Sequence, residues 1–179
     1  MRRFLLALTF SFLIALPATA AETVDAVWKE QEVEFAFLGL EVAYSCDLME
    51  ARIEMLLRHV GAASDVRVTV PPCPAFVRPQ KQHRITVTFS TLVPAGESDV
   101  DIVKAAWSEV ELGERHPRSI NDGDCELLEH FQKYLLSNIE HEVIEGKTGC
   151  SAARRSVLGQ LKLKILKPVA GNDAEEKNE

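Results

Sequence analysis

Two stretches of this chain repeat one another around a cysteine. Ser45-Cys46-Asp47-Leu48-Met49-Glu50 lies over Asp124-Cys125-Glu126-Leu127-Leu128-Glu129. Without a gap, Leu56, Leu57 and Val60 then fall on Leu135, Leu136 and Ile139. Apolar positions 49, 53, 56, 57 and 60, and 127, 128, 131, 135 and 139, recur at the spacing of one helix face. Ser45 and Asp124 are side chains that accept hydrogen bonds from a helix's unpaired first N–H groups, and the acids after each cysteine suit the positive end of the helix dipole. Gly61 predicts a left-handed stop to the first helix.

Each predicted helix is followed by residues that alternate as strands do. Val66, Val68 and Val70 precede Cys73, and Val143 and Ile144 precede Cys150. Further strands follow at Ile85, Val87 and Phe89, and at Leu161, Leu163 and Ile165. Upstream strands fit Val33 to Phe37 and Ala105 to Leu112. The pattern predicts two tandem strand–helix–strand–strand units, about 31–92 and 103–168, within one α+β domain over 21–170. Alternation with period two leaves one polar sheet face, so the fold class is a two-layer sandwich: a mainly antiparallel sheet with both helices on its other face. Pro71 to Gln82, Pro94 to Asp101 and Gly113 to Asp124 are linkers, and the acidic tail 171–179 is expected to be disordered.

The start of the chain has the three parts of a secretory signal. Met1-Arg2-Arg3 is positive, Phe4 to Leu16 is apolar except for Thr9 and Ser11, and Ala18-Thr19-Ala20 after Pro17 offers small residues for cleavage. The apolar run falls well short of the ~20 residues a membrane span needs. Residues 1–20 are therefore expected to be removed, and the mature chain to be periplasmic or secreted, with no later membrane span. The formal charge of the whole chain is −7, and the signal takes away two arginines and no acids. That balance argues against nucleic acid or anionic lipid as a general partner.

The four cysteines, Cys46, Cys73, Cys125 and Cys150, read as disulfides in an exported chain. None stands at the CxxC spacing of a zinc or redox site. Cys46 and Cys73 stand 27 apart, Cys125 and Cys150 25 apart, each pair spanning one helix and its next strand. This favours Cys46–Cys73 and Cys125–Cys150, since a helix start and the end of the returning strand are neighbours. Loops of this length contribute about 3–4 kcal/mol each in the chain-entropy account.

The run Tyr44-Ser45-Cys46-Asp47, the helix with Glu50, Gly61-Ala62 and Asp65 before a valine strand and Cys73, and the later strand Arg84 to Leu92 together resemble a family of exported proteobacterial proteins of unknown function. The resemblance covers roughly the first half of the mature chain and part of the second. It implies a periplasmic location and no activity, so it assigns no functional residue.

No motif with a catalytic spacing is present, and no cofactor is implied. His59, His83, His116, His130 and His141 show no metal spacing such as HExxH. Glu129, His130 and His141 would need the fold to bring them together. Ser90-Thr91 suits a strand-end hydrogen bond better than a nucleophile. Trp28 and Trp107 suit core or edge packing better than a ligand box. One charge pattern repeats after the second cysteine of each unit: Arg78 and Arg84, then Arg154, Arg155, Lys162 and Lys164. These could form an anion or partner patch, or a solvated strand face guarded by lysines. The reading favoured is a non-catalytic binding or interaction module of the cell envelope. The alternative is a periplasmic hydrolase whose site is assembled from scattered residues.

Overall fold

The structure, a computed structural model, describes residues 22–40, 42–71, 79–151 and 157–169. The signal segment, Cys73, Arg78, Arg154, Arg155 and the acidic tail lie outside the described residues.

Among the described residues eight strands and two α-helices follow in order: β1 (Thr23–Leu38), α1 (Cys46–His59), β2 (Arg67–Thr69), β3 (Gln82–Pro94), β4 (Val103–Gly113), α2 (Cys125–His130), β5 (His141–Gly146), β6 (Gly149–Cys150), β7 (Val157–Leu158) and β8 (Gln160–Pro168). Six strands form one sheet in the order β2-β3-β1-β4-β8-β5, and every neighbouring pair is antiparallel. β6 and β7 make a separate hairpin that the sequence pattern does not signal. The chain is thus α+β, with helices packed on a mainly antiparallel sheet. No helix among the described residues is long and apolar enough to cross a membrane.

β1 and β3 pair along their length, as do β4 and β8, but β1 meets β4 only over Thr23–Ala26. Cross-strand partners share a face, so the register sorts the side chains. Val33 opposite Val87, Phe35 opposite Ile85, Val110 opposite Leu163 and Leu112 opposite Leu161 all face the helices. Met49, Ile53, Leu56 and Leu57 of α1, and Leu127 and Leu128 of α2, close the other side of this core. Each such side chain removed from water contributes about 1.5–3 kcal/mol.

Capping explains where α1 begins and ends. Ser45 Oγ accepts from the Leu48 N–H (3.3 Å). At the far end Ala62 N–H donates to Leu57 O (3.0 Å) and Gly61 N–H to Arg58 O (3.2 Å), with Gly61 at φ +87°. This is a Schellman stop. The second helix departs from the sequence expectation twice. Asp124 does not cap α2: its carboxylate turns back to Asn121 N–H (3.1 Å), while Asn121 Oδ1 accepts from Gly123 N–H (2.9 Å), so the cap forms one turn earlier. After His130 the helix widens into a π turn, Phe131–Leu135, then a 3₁₀ turn, Leu136–Asn138. Ser137 Oγ and Asn138 Nδ2 donate to the Lys133 and Tyr134 carbonyls and so compete with the backbone where the helix ends.

The opposite sheet face is not uniformly polar, as alternation alone would have it. Ala26, Leu92, Ala105 and Leu166 are buried there as a second, smaller core, edged by the half-buried Val24 and Val103. β3 and β8 approach each other although β1 and β4 lie between them. Flat strands would hold them roughly 14 Å apart, so the sheet curls where β1 meets β4. Two alanines at that crossing leave room for the two leucines. Trp28 and Trp107 sit at either end of this patch, 39% and 38% exposed.

Candidate functional site

Of the residues expected to form a basic patch, the three described ones, Arg84, Lys162 and Lys164, do not all lie together. Lys162 and Lys164 are neighbours on one face of β8. Arg84 is on β3, opposite Ala36, ten residues along β1 from its junction with β4, or roughly 33 Å of strand. Nor do the two lysines leave free positive charge. Lys162 Nζ lies 2.9 Å from Glu145 and 3.8 Å from Glu111, and Lys164 Nζ lies 3.9 Å from Glu142. The Lys162 hydrogen bond holds the exposed Glu145 carboxyl below its ordinary value, and the same bond raises the lysine. These contacts form a ladder of paired charges across β4, β8 and β5. Arg78, Arg154 and Arg155 lie outside the described residues.

Cys125 and Cys150 form a disulfide, with Cα atoms 5.1 Å apart. Cys46 is also disulfide-bonded, and its expected partner, Cys73, lies outside the described residues. Glu129 Oε1 accepts from Cys150 N–H (2.8 Å), and Glu50 Oε1 accepts from Val70 N–H (3.0 Å). Both glutamates therefore tie a helix to the strand segment that follows it. Ser90 Oγ donates to Asp65 (3.0 Å) from within β3, which runs on to Pro94, rather than from a strand end. Among the described residues no group of three or more His, Cys, Asp or Glu is placed to hold a metal ion.

A different set of residues converges at the end of α1. His59, in its last turn, and Arg115, His116, Pro117 and Arg118, in the loop after β4, line a cleft of about 650 Å³. This is within the size range of small-molecule sites. His59 is half-buried, and its Nε2 donates to the Glu111 carbonyl (2.8 Å). Burial lowers the His59 pKa, the hydrogen bond to Glu111 opposes that shift, and Lys167 and His116 add to it. The ring is therefore neutral at pH 7, with Nδ1 left as an acceptor. His116 presents Nδ1 to the Glu114 carbonyl (3.0 Å) and Nε2 to the Glu111 carboxylate (3.4 Å).

The loop that carries these groups is tightly held. Gly113 and His116 exchange two backbone hydrogen bonds, and Arg115 N–H donates to Ile120 O (3.1 Å). Ile120 is buried in the main core. Arg115 sits at φ +63°, a left-handed conformation that costs a non-glycine residue about 1–2 kcal/mol. Strain of this kind persists where the surroundings over-determine it. Helix α1 supplies the bracing: the Arg52 guanidinium donates to Ser119 O and faces the Asp124 carboxylate (3.8 Å). Asp124 is 3% exposed and accepts from the Tyr44 hydroxyl (3.0 Å).

Chemically, the cleft offers two guanidiniums and two imidazoles; beside it, the Glu111 carboxylate is engaged by His116 and Lys162, and Glu114 lies 3.5 Å from Arg115. Ser119, the hydroxyl beside Arg118 in the chain, donates instead to Met55 Sδ (3.0 Å). The sequence pattern places this loop among the linkers and gives its histidine no spacing that links it to another. A signal is present in Arg115-His116-Pro117-Arg118, a compact basic run in an acidic chain. No protein-family model, curated protein or solved structure matches the chain.

Proposed function

We propose that the chain is exported, loses residues 1–20 and acts as a non-catalytic, disulfide-stabilised binding module of the cell envelope, with the His59–Arg118 cleft as its binding site. The observation that carries this reading is the braced loop, whose backbone is held beside an open cleft before any ligand arrives. Preorganisation of this kind lowers the cost of binding. The apolar signal pattern and the disulfide support export.

The module is built, on this reading, from two tandem strand–helix–strand–strand units. The sheet order supports it, because β2-β3-β1 is mirrored by β5-β8-β4. So does an echo in the strands: Val24-x-Ala26-x-Trp28-x-Glu30-x-Glu32 against Val103-x-Ala105-x-Trp107-x-Glu109-x-Glu111. Leu92 and Pro94 stand opposite Trp28 and Ala26 just as Leu166 and Pro168 stand opposite Trp107 and Ala105.

The test is native mass spectrometry of the mature protein after equilibration with a small-molecule extract of the cell envelope. A retained solute, returned chemically unchanged, is the expected result. A solute converted to product would point instead to the hydrolase alternative, with the His116–Glu111 pair as its acid–base element. A protein that retains nothing contradicts both.

A further inference from the structure

We propose that the cleft takes a small tetrahedral dianion, such as the phosphate group of a phosphate monoester; this rests on the binding reading above. One carboxylate is satisfied by a single two-pronged guanidinium contact. Here two guanidiniums, Arg115 and Arg118, line the same cleft with two imidazoles. Lys162 and Lys167 lie just behind, Lys162 against Glu111 and Lys167 within electrostatic reach of His59. The opposing acids are Glu111, held by His116 and Lys162, Glu114, 3.5 Å from Arg115, and Glu145, which neutralises Lys162 at 2.9 Å. Among the described residues no carboxylate pairs with Arg118. The balance at the cleft is positive on a chain whose formal charge is −7.

His59 gives the site a pH response. It faces the Glu111 carbonyl from β4, Lys167 from β8 and His116 from the loop. A bound dianion adds the negative charge that this set lacks and so favours the protonated ring. Binding therefore tightens as pH falls from 7.5 to 5.5. Sulfate is the appropriate probe for this limb, because it stays dianionic throughout and any pH dependence belongs to the protein.

The experiment is an amide NMR titration of the mature protein at constant ionic strength. The probes are sulfate, inorganic phosphate, glycerol phosphate, acetate and a neutral sugar. The expected result is saturable shifts in His59 and Gly113–Ile120 with the three tetrahedral anions, and weaker ones with acetate. Arg115→Asn, which tolerates the left-handed backbone, and Arg118→Gln should each weaken binding roughly tenfold or more, as loss of a charge-assisted hydrogen bond does. Arg84→Gln, an exposed cation far from the cleft, should change it less than about twofold. His59→Gln should lessen the tightening of sulfate at low pH, and His59→Gln combined with His116→Gln should remove it. Acetate binding as tightly as phosphate, or equal losses in all three arginine variants, would overturn the assignment. Saturable binding of the neutral sugar in this cleft would leave the binding module standing and sink the anion. Shifts with none of the probes would sink the anion alone, since the extract experiment addresses the module separately.

Discussion

Asp124 should be the most sensitive polar position in the fold, and its contribution can be worked from its contacts. The carboxylate is 3% exposed and accepts from Tyr44 Oη (3.0 Å) and Asn121 N–H (3.1 Å), with the Arg52 guanidinium at 3.8 Å. Tyr44→Phe removes one hydrogen bond to a charged acceptor and leaves the ring, so it should cost about 1.5–3 kcal/mol. Asp124→Asn keeps the volume but removes the charge that faces Arg52, whose side chain is 18% exposed. Breaking a buried pair from one side costs about 3–5 kcal/mol. The double variant should cost less than the two singles together, by about 1–2 kcal/mol, because both remove the same bond. Urea unfolding followed by tryptophan fluorescence gives the three values, with an unchanged slope showing that only stability moved. Burial first, then the Asp124 charge, raises the Tyr44 pKa above its ordinary value. Stability is then fully present below the free phenol's pKa of about 10 and is lost as pH climbs past it. Tyr44→Phe should flatten that alkaline limb. Strict additivity of the two substitutions, or a Tyr44→Phe cost below about 0.5 kcal/mol, would refute the argument that this bond braces the loop.

Other expectations follow from single contacts. The lowered His59 pKa means stability is fully present above the free imidazole value and lost as pH falls through the folded one, so His59→Gln should reduce the loss seen in thermal unfolding as pH falls below about 6.5. Gly61→Ala should destabilise by about 1–2 kcal/mol in chemical denaturation: its φ is +87° and the new Cβ would stand 3.2 Å from Leu166 O. Leu56→Ala empties fully buried space beneath α1 and should cost about 2–5 kcal/mol, where Leu48→Ala, 45% exposed, should cost well under half of that. Non-reducing peptide mapping should recover Cys46 linked to Cys73; a peptide joining Cys46 to any other cysteine would break the two-unit reading.

The helices and the inner strands are legible in the sequence because burial imposes a period. Met49, Ile53, Leu56 and Leu57 carry the helical spacing, and Ile85, Val87 and Phe89 the strand spacing, so residue order alone reveals both. The middle of β1 is harder to see. Trp28 to Glu34 mixes lysine, glutamine and three glutamates, residue types that strands disfavour. They are tolerated there because the glutamates face solvent while Val33 and Phe35 face the helices. The curl that buries Ala26 and Ala105 depends on β3 approaching β8, a contact between distant strands with no local signature. The basic run Arg115-His116-Pro117-Arg118 is visible in the sequence, but its meeting with His59 is not, for the same reason: His59 ends a helix and Arg115 lies more than fifty positions later. No spacing rule links them; Arg52, Ser119 and Asp124 do.

We propose the His59–Arg118 cleft, and not another surface, as the place where this protein holds its ligand. Amide and tryptophan side-chain shifts, recorded on the mature protein bound to whatever solute it retains from envelope extract, test that most directly. Perturbations should concentrate in His59 and Gly113–Ile120 and be abolished by combining Arg115→Asn with Arg118→Gln. Perturbations centred instead on the indoles of Trp28 and Trp107, and indifferent to those two substitutions, would contradict it.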